Sequence, residues 1–315
     1  MSSKDDVKNV AIVGASGLVG GEITRSLLER GTFNITAISR QESTGTLPPG
    51  VTVKRGDYTS SNFLESALEG QDVLIITLSV MASPDIQTGF IRAAAKVGVP
   101  WILPNEYGGD GANEELLNAV PILASKTKYR DLIEELGTSS WIGIACNLWI
   151  DYGLKGGWFS IDIPSRKATL YDDGTNPIVT TSLPQVGRAV ARLLSLPVYS
   201  SSSPSLSDYK NQFAYTRSFS VSQTDMLSAV QRATSTKPED WEITRMPVDE
   251  YIKAGPELLA KGDRMGMLNI LYGSHFKKGL GDQYYGRESA NEKLGLEDED
   301  LDEVVERVVK EMERK

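Results

Sequence analysis

Two hydrophobic rhythms alternate through the first half of the chain. Short runs rich in β-branched residues stand at 9–13, 35–39, 51–55, 73–78, 101–103 and 141–145. Between them, 19–30, 62–68, 85–97 and 126–136 carry apolar residues at helical spacing. Strand and helix in turn predict a parallel sheet covered by helices on both faces. The run 73–78 is apolar almost without interruption, as expected of a central strand buried on both sides.

The second half has a different texture. Gly156-Gly157 and the loop Asp172-Asp173-Gly174-Thr175-Asn176-Pro177 interrupt it, and 200–203 before Pro204 form a polar loop. A helix over 185–194 and a strand near 215–221 are expected to return to the main sheet. The segment 301–312 places Leu301, Val304, Val305, Val308, Val309 and Met312 on one helical face, which predicts a docking helix. Acidic residues crowd its start and basic ones its end, in accord with the helix dipole. The acidic run 297–300 reads as the solvated first turn of that helix. The expected organisation is a doubly wound, Rossmann-type α/β domain over 1–150, rejoined by 178–199 and 212–221, and a smaller α/β substrate-binding region over 151–315.

The first strand runs straight into Gly14-Ala15-Ser16-Gly17-Leu18-Val19-Gly20, and a helix follows. Strand before and helix after make this GxxGxxG segment a dinucleotide-binding turn. Gly14 permits the tight turn, Gly17 lets backbone approach a pyrophosphate, and Gly20 lets the helix pack on the sheet. The helix N-terminus offers free N–H groups to the phosphates. About 20 residues further on, NAD binders carry an acid for the ribose 2′-hydroxyl. Here Arg40 stands there, and a guanidinium suits the 2′-phosphate of NADP, although Glu42 is close by. Asp57, in Gly56-Asp57-Tyr58 after the third strand, reads either as an acceptor for the adenine amino group or as a loop acid.

Composition narrows the possibilities. A chain of 315 residues, 40% hydrophobic and 24% charged, is an ordinary globular protein with room for one large core and an appendage. A formal charge of −9 argues against a nucleic-acid partner. Cys146 is the single cysteine and lies in an apolar run, where it reads as a small core residue. His275 is the single histidine, so clusters of several His and Cys ligands are excluded and no metal is expected. It lies near Tyr272, Phe276 and several glycines; a loop over the pocket is one reading, a surface position the preferred one. The N-terminus shows no signal-like apolar stretch, and no apolar run reaches the ~20 residues of a membrane span. A cytoplasmic, reducing compartment is therefore expected, with no membrane partner and with monomer or homodimer left open.

The Tyr-x-x-x-Lys pair of most short-chain reductases is absent: no tyrosine has a lysine four residues later. Tyr152 and Lys155 are only three apart, and the neighbouring glycines argue against a helix there. A different arrangement is present. Trp101-Ile102-Leu103-Pro104-Asn105-Glu106-Tyr107-Gly108, followed by Lys126-Thr127-Lys128-Tyr129-Arg130-Asp131-Leu132-Ile133-Glu134, resembles the isoflavone reductase-like branch of the NmrA-like family of atypical short-chain dehydrogenases. The resemblance extends to Asn147, to Asp173-Gly174-Thr175-Asn176 and to 185–194, and weakens after about Tyr209. Asn105 stands where that branch usually has serine, and Tyr107 where it usually has phenylalanine.

The resemblance implies an NADPH-dependent reductase of secondary metabolism acting on a small aromatic or conjugated compound. It also implies that Lys126 is the catalytic residue, as proton donor or polarising cation; helix geometry alone hardly separates Lys126 from Lys128. The expected cofactor set is Gly14, Ala15, Ser16, Gly17, Leu18, Val19, Gly20, Arg40, Asp57, Ser79, Asn105, Lys126 and Asn147. The expected substrate set is Glu106, Tyr107, Trp149, Tyr152 and Trp158, where the aromatic rings suit a flat acceptor or else fill a core between domains. Glu106 reads alternatively as a loop-holding acid. The rival function is a non-catalytic NADP(H) redox sensor that controls a protein partner, for which Lys126 is unnecessary.

Overall fold

A computed structural model describes residues 6–314 of the chain. Its main sheet has eight strands. From one edge the order is Gln212–Tyr215, Ser140–Ala145, Trp101–Leu103, Val73–Ile76, Asn9–Val13, Asn34–Arg40 and Val51–Gly56, and the short strand Tyr107–Gly108 also pairs with Ser140–Ala145. Every pairing in it is parallel. The chain winds outward from Asn9–Val13 in one direction, then crosses over and winds out in the other. Val13 therefore sits beside both Ile38 and Ile76, at the point where strand order reverses. Open α/β sheets bind ligands in the crevice that this reversal leaves at their carboxyl edge.

The continuous apolar strands have their explanation in two cores. Val10, Ile12 and Ile75 face the helices Leu18–Arg30 and Leu183–Leu194. Ala11, Val13, Leu74 and Ile76 face the other layer, built from Ser61–Leu68, Pro84–Val97 and Thr127–Leu136. Successive strand residues point to opposite faces, so a strand buried on both sides has no polar alternation to show.

A second body grows from the carboxyl edge. One small sheet joins Glu242–Met246, Lys167–Tyr171 and Ile161–Asp162, and another joins Phe219–Val221, Ile178–Thr181 and Leu148–Trp149. Their core includes Phe159, Tyr171, Met226, Trp241 and Tyr272, and the helix Leu301–Glu313 seals it with Val304, Val305, Val308 and Val309. That docking face is the one the sequence pattern predicts.

Several expectations need correction. The strand expected near 215–221 is two strands: Gln212–Tyr215 joins the main sheet, whereas Phe219–Val221 pairs antiparallel with Ile178–Thr181 outside it. The acidic run 297–300 precedes the last helix instead of forming its first turn. Asp300 is its N-cap, accepting from the Glu303 amide at 3.1 Å. Glu299 is half-buried and takes hydrogen bonds from Ser182 at 2.9 Å and Arg188 at 2.6 Å. A short helix, Ile150–Lys155, forms despite its glycine, and Gly153 lies against the Phe159 ring, where a Cβ would come within 2.2 Å.

Candidate active site

The turn after the first strand is built by close approach. Gly14 has φ +83°, and a Cβ there would lie 2.3 Å from the Thr77 carbonyl oxygen of the neighbouring strand end. A Cβ on Gly20 would lie 2.1 Å from the Gly14 oxygen. These two residues bring the opening of Leu18–Arg30 hard against the sheet at its reversal point. Thr77 fastens the arrangement, its hydroxyl donating to Val13 O at 2.8 Å. Gly17 caps the helix without any side-chain hydrogen bond, and the first turn holds no acid. A helix opening of this kind leaves backbone N–H groups and the positive end of the dipole for an anion.

Beside it lies a cleft of about 460 Å³ at the carboxyl edge of the sheet. Gly17, Leu18 and Val19 line it, with Thr77, Leu78, Ser79 and Val80 from the next strand end, Asn105 and Tyr107–Gly109, then Asn147, Leu148, Trp149 and Tyr152. Ile122, Leu123 and Lys126 come from the segment before Thr127–Leu136, and Met267, Leu268, Leu271 and Tyr272 from the helix Met265–Phe276. Tyr107 and Asn147 are 4% and 3% exposed and mark the inner end, whereas Leu18 at 50% and Val80 at 59% mark the mouth.

Among the described residues Lys126 is the only lining residue with a charged side chain, and it is half-buried at the N-cap of Thr127–Leu136. Burial lowers its pKa below the usual lysine range, and the Glu106 carboxylate partly counters that. The result is an ammonium in apolar surroundings that gives up its proton more readily than a solvated lysine.

The structure gathers ten of the expected site residues on this cleft: Gly17, Leu18, Val19, Ser79, Asn105, Tyr107, Lys126, Asn147, Trp149 and Tyr152. Gly14, Ala15, Ser16 and Gly20 form the turn behind it. Arg40 is exposed at the end of Asn34–Arg40. Asn105 donates to Leu78 O at 2.8 Å, tying the loops after two adjacent strands together. Asn147 adopts φ 50° and donates to Gly281 O at 3.1 Å.

Three expected residues lie elsewhere. Glu106 is buried against Arg130 at 3.0 Å and holds the loop, as its alternative reading has it. Its neighbour Tyr107, the first residue of the short strand Tyr107–Gly108, lines the cleft instead. Asp57 is exposed and accepts from the Thr59 amide and hydroxyl, both at 2.8 Å, which lowers its pKa. Trp158 packs against the second core beside Gly156. His275 overturns the surface expectation: it is 0% exposed, and its Nδ1 donates to Leu271 O at 2.8 Å. Cys146 is the free, buried core thiol expected of it, pushed up by burial to about 12. Among the described residues no group of His, Cys, Asp and Glu is placed to hold a metal, and no helix is long and apolar enough to cross a membrane.

Four of the twelve lining residues that sequence reasoning missed come from Met265–Phe276. Its apolar residues circle the whole helix, so no stripe marks the side toward the cleft. A helix apolar all round is itself a sign of burial on several sides, and the sequence GMLNILYG carries that sign.

Comparison with known proteins agrees with this geometry. The model described as the NmrA-like family matches residues 6–184. Oxidoreductase aprR of Aspergillus flavus is 27% identical over 308 residues, covering 96% of this chain and 98% of that protein. Oxidoreductase poxI of Penicillium oxalicum is 28% identical over 305 residues, covering 94% of this chain and 92% of that protein. Among solved structures, AtPrR2 with NADP+ and (+)pinoresinol aligns with TM-score 0.76 at 17% identity, covering 97% of this chain and 99% of the other. Isoflavone reductase aligns with TM-score 0.74 at 19% identity, covering 96% and 99%. The chain belongs to the NmrA-like family and has the fold of isoflavone reductase.

Proposed function

We propose that this protein is an NADPH-dependent reductase of a small aromatic or conjugated carbonyl compound, with Lys126 as the proton donor. The observation that carries the reading is the half-buried Lys126 amine, the one charged side chain among the described residues that line an apolar cleft beginning at an uncapped helix N-terminus. The relatives named oxidoreductase, and the solved neighbour holding NADP+, support it.

The residues present fit the cofactor. Gly17 bears no Cβ and Leu18 and Val19 sit at an unblocked helix opening, so their backbone would hold the pyrophosphate. Arg40 would take the 2′-phosphate, and Ser79, Asn105 and Asn147 would flank the nicotinamide end. Bound there, the cofactor supplies a hydride to the acceptor. Lys126 then supplies the accompanying proton, and its environment favours that transfer because desolvation makes the ammonium a stronger acid. The apolar walls exclude water, while Trp149 and Tyr152, whose ring centroids are 6.0 Å apart, offer aromatic edges to a flat substrate. In this reading the main sheet with Leu183–Leu194 and Gln212–Tyr215 is the cofactor half, and the second body closes the substrate side.

The test is NADPH oxidation against a panel of enones, quinones and aromatic ketones, with NADH in parallel. Turnover with NADPH, reduced about tenfold or more in Arg40→Ala through loss of a charge-assisted phosphate contact, is expected. No oxidation of any panel member, or equal use of NADH by the wild type, contradicts the reading.

A further inference from the structure

The inner end of the cleft holds polar atoms that the fold leaves without partners. The Tyr107 hydroxyl oxygen and the Asn147 side-chain oxygen are both buried, and neither has a hydrogen-bond partner among the described residues. Tyr107 is 4% exposed and Asn147 3%. Buried polar groups in native proteins are almost always paired, so an orphan on a residue that lines a cavity points to what occupies that cavity. Asn147 already spends its amide on Gly281 O at 3.1 Å. Tyr107 spends nothing: its ring packs in the main core against residues such as Ile144 and Cys146, a job phenylalanine would do as well.

Two further facts define the group. Burial raises the Tyr107 pKa far above its ordinary value, so the hydroxyl keeps its proton and is available as a donor. Tyr107 and Lys126 both line this one cleft.

We infer that Tyr107 is a specificity-determining residue whose hydroxyl donates a hydrogen bond to an oxygen of the substrate, at a position separate from the oxygen or carbon that Lys126 serves. The substrate class is thereby narrowed to an aromatic or conjugated carbonyl compound with a second oxygen, a hydroxyl or ether, on its buried end. The inference rests on the reductase reading for its substrate, but the cavity and the orphaned hydroxyl exist independently of turnover. A site built to bond an oxygen rejects the analogue that lacks it, because the protein group is then left unpaired.

The experiment compares chalcone with its para-hydroxylated analogues, hydroxylated on one ring or the other. Binding is read by quenching of tryptophan fluorescence with NADP+ present, and turnover by NADPH oxidation. For the wild type, one hydroxylated analogue is expected to bind roughly tenfold more tightly than chalcone, the worth of about one hydrogen bond. In Tyr107→Phe that ratio is expected to fall to near one. A loss of affinity shared equally by all probes leaves the ratio unchanged, as a merely structural role for the hydroxyl would, and overturns the inference. Equal binding of all probes by the wild type, or binding of none, overturns it as well. Should turnover be absent while the binding ratio collapses in Tyr107→Phe, the reductase reading fails and the recognition role of Tyr107 stands.

Discussion

Arg130 donates to Glu106 across 3.0 Å where the two side chains are only 9% and 6% exposed. The same guanidinium reaches Gly111 O at 3.1 Å and the Thr127 hydroxyl at 3.0 Å, and lies 5.0 Å from the Phe213 ring centroid. One side chain thus ties the Glu106 loop to the first turn of the helix Thr127–Leu136, whose N-cap is Lys126. The second oxygen of Glu106 has no partner among the described residues, so the carboxylate depends on Arg130 alone for a strong contact.

Removing one member of this pair strands the other in a dry environment. Burial already raises the Glu106 pKa, with Arg130 and Lys126 pulling it back down. Arg130→Met is expected to cost about 3–5 kcal/mol, the usual penalty for an uncompensated buried charge. A denaturant titration that returned a midpoint close to wild type would show that water relieves the stranded carboxylate.

His275 predicts an acid limit to stability. Burial pushes it down to about 4 from an ordinary 6.5, because the folded protein keeps the ring neutral. The unfolded chain binds the proton first, so this contribution is complete above about pH 6.5 and is lost as pH falls toward 4. The full effect is roughly 3 kcal/mol. Stability measured across that window should decline toward acid in the wild type and decline less steeply in His275→Leu. Identical slopes would remove His275 from the account.

Gly20→Ala puts a methyl group where only 2.1 Å separates it from the Gly14 carbonyl oxygen. The helix opening must shift away from the strand, at a cost of roughly 1–3 kcal/mol in overpacking. The expected outcome is a lower melting temperature together with weaker NADPH binding. Unchanged affinity would mean that the turn does not set the position of the pyrophosphate.

Much of this arrangement was legible beforehand in particular residues. Val10 to Val13 and Val73 to Ile76 are apolar because both faces are covered, and the glycines at 14, 17 and 20 announce the turn between them. The second body was less legible. Thr216 to Ser218 break what reads as one strand into two, since the chain must leave the main sheet and reverse onto Ile178–Thr181. Met265–Phe276 shows no periodicity, so its contribution to the cleft could not be assigned to a face. His275 was misread for a related reason. A polar residue among glycines looks like a loop, and only the fold shows it as the last turn of a buried helix, lying against Gly109. Glu106 and Tyr107 differ by one position, yet one enters a structural ion pair and the other lines the cleft.

Lys126 is proposed to supply the proton in an NADPH-dependent reduction. The direct measurement is the rate of NADPH oxidation by the wild type and by Lys126→Met, with an acceptor that the wild type reduces and with cofactor affinity determined for both. A fall in kcat of about 10²–10⁴, the range for losing a general acid, is expected, with NADPH binding retained. A variant that binds NADPH normally and reduces the acceptor at the wild-type rate would contradict it.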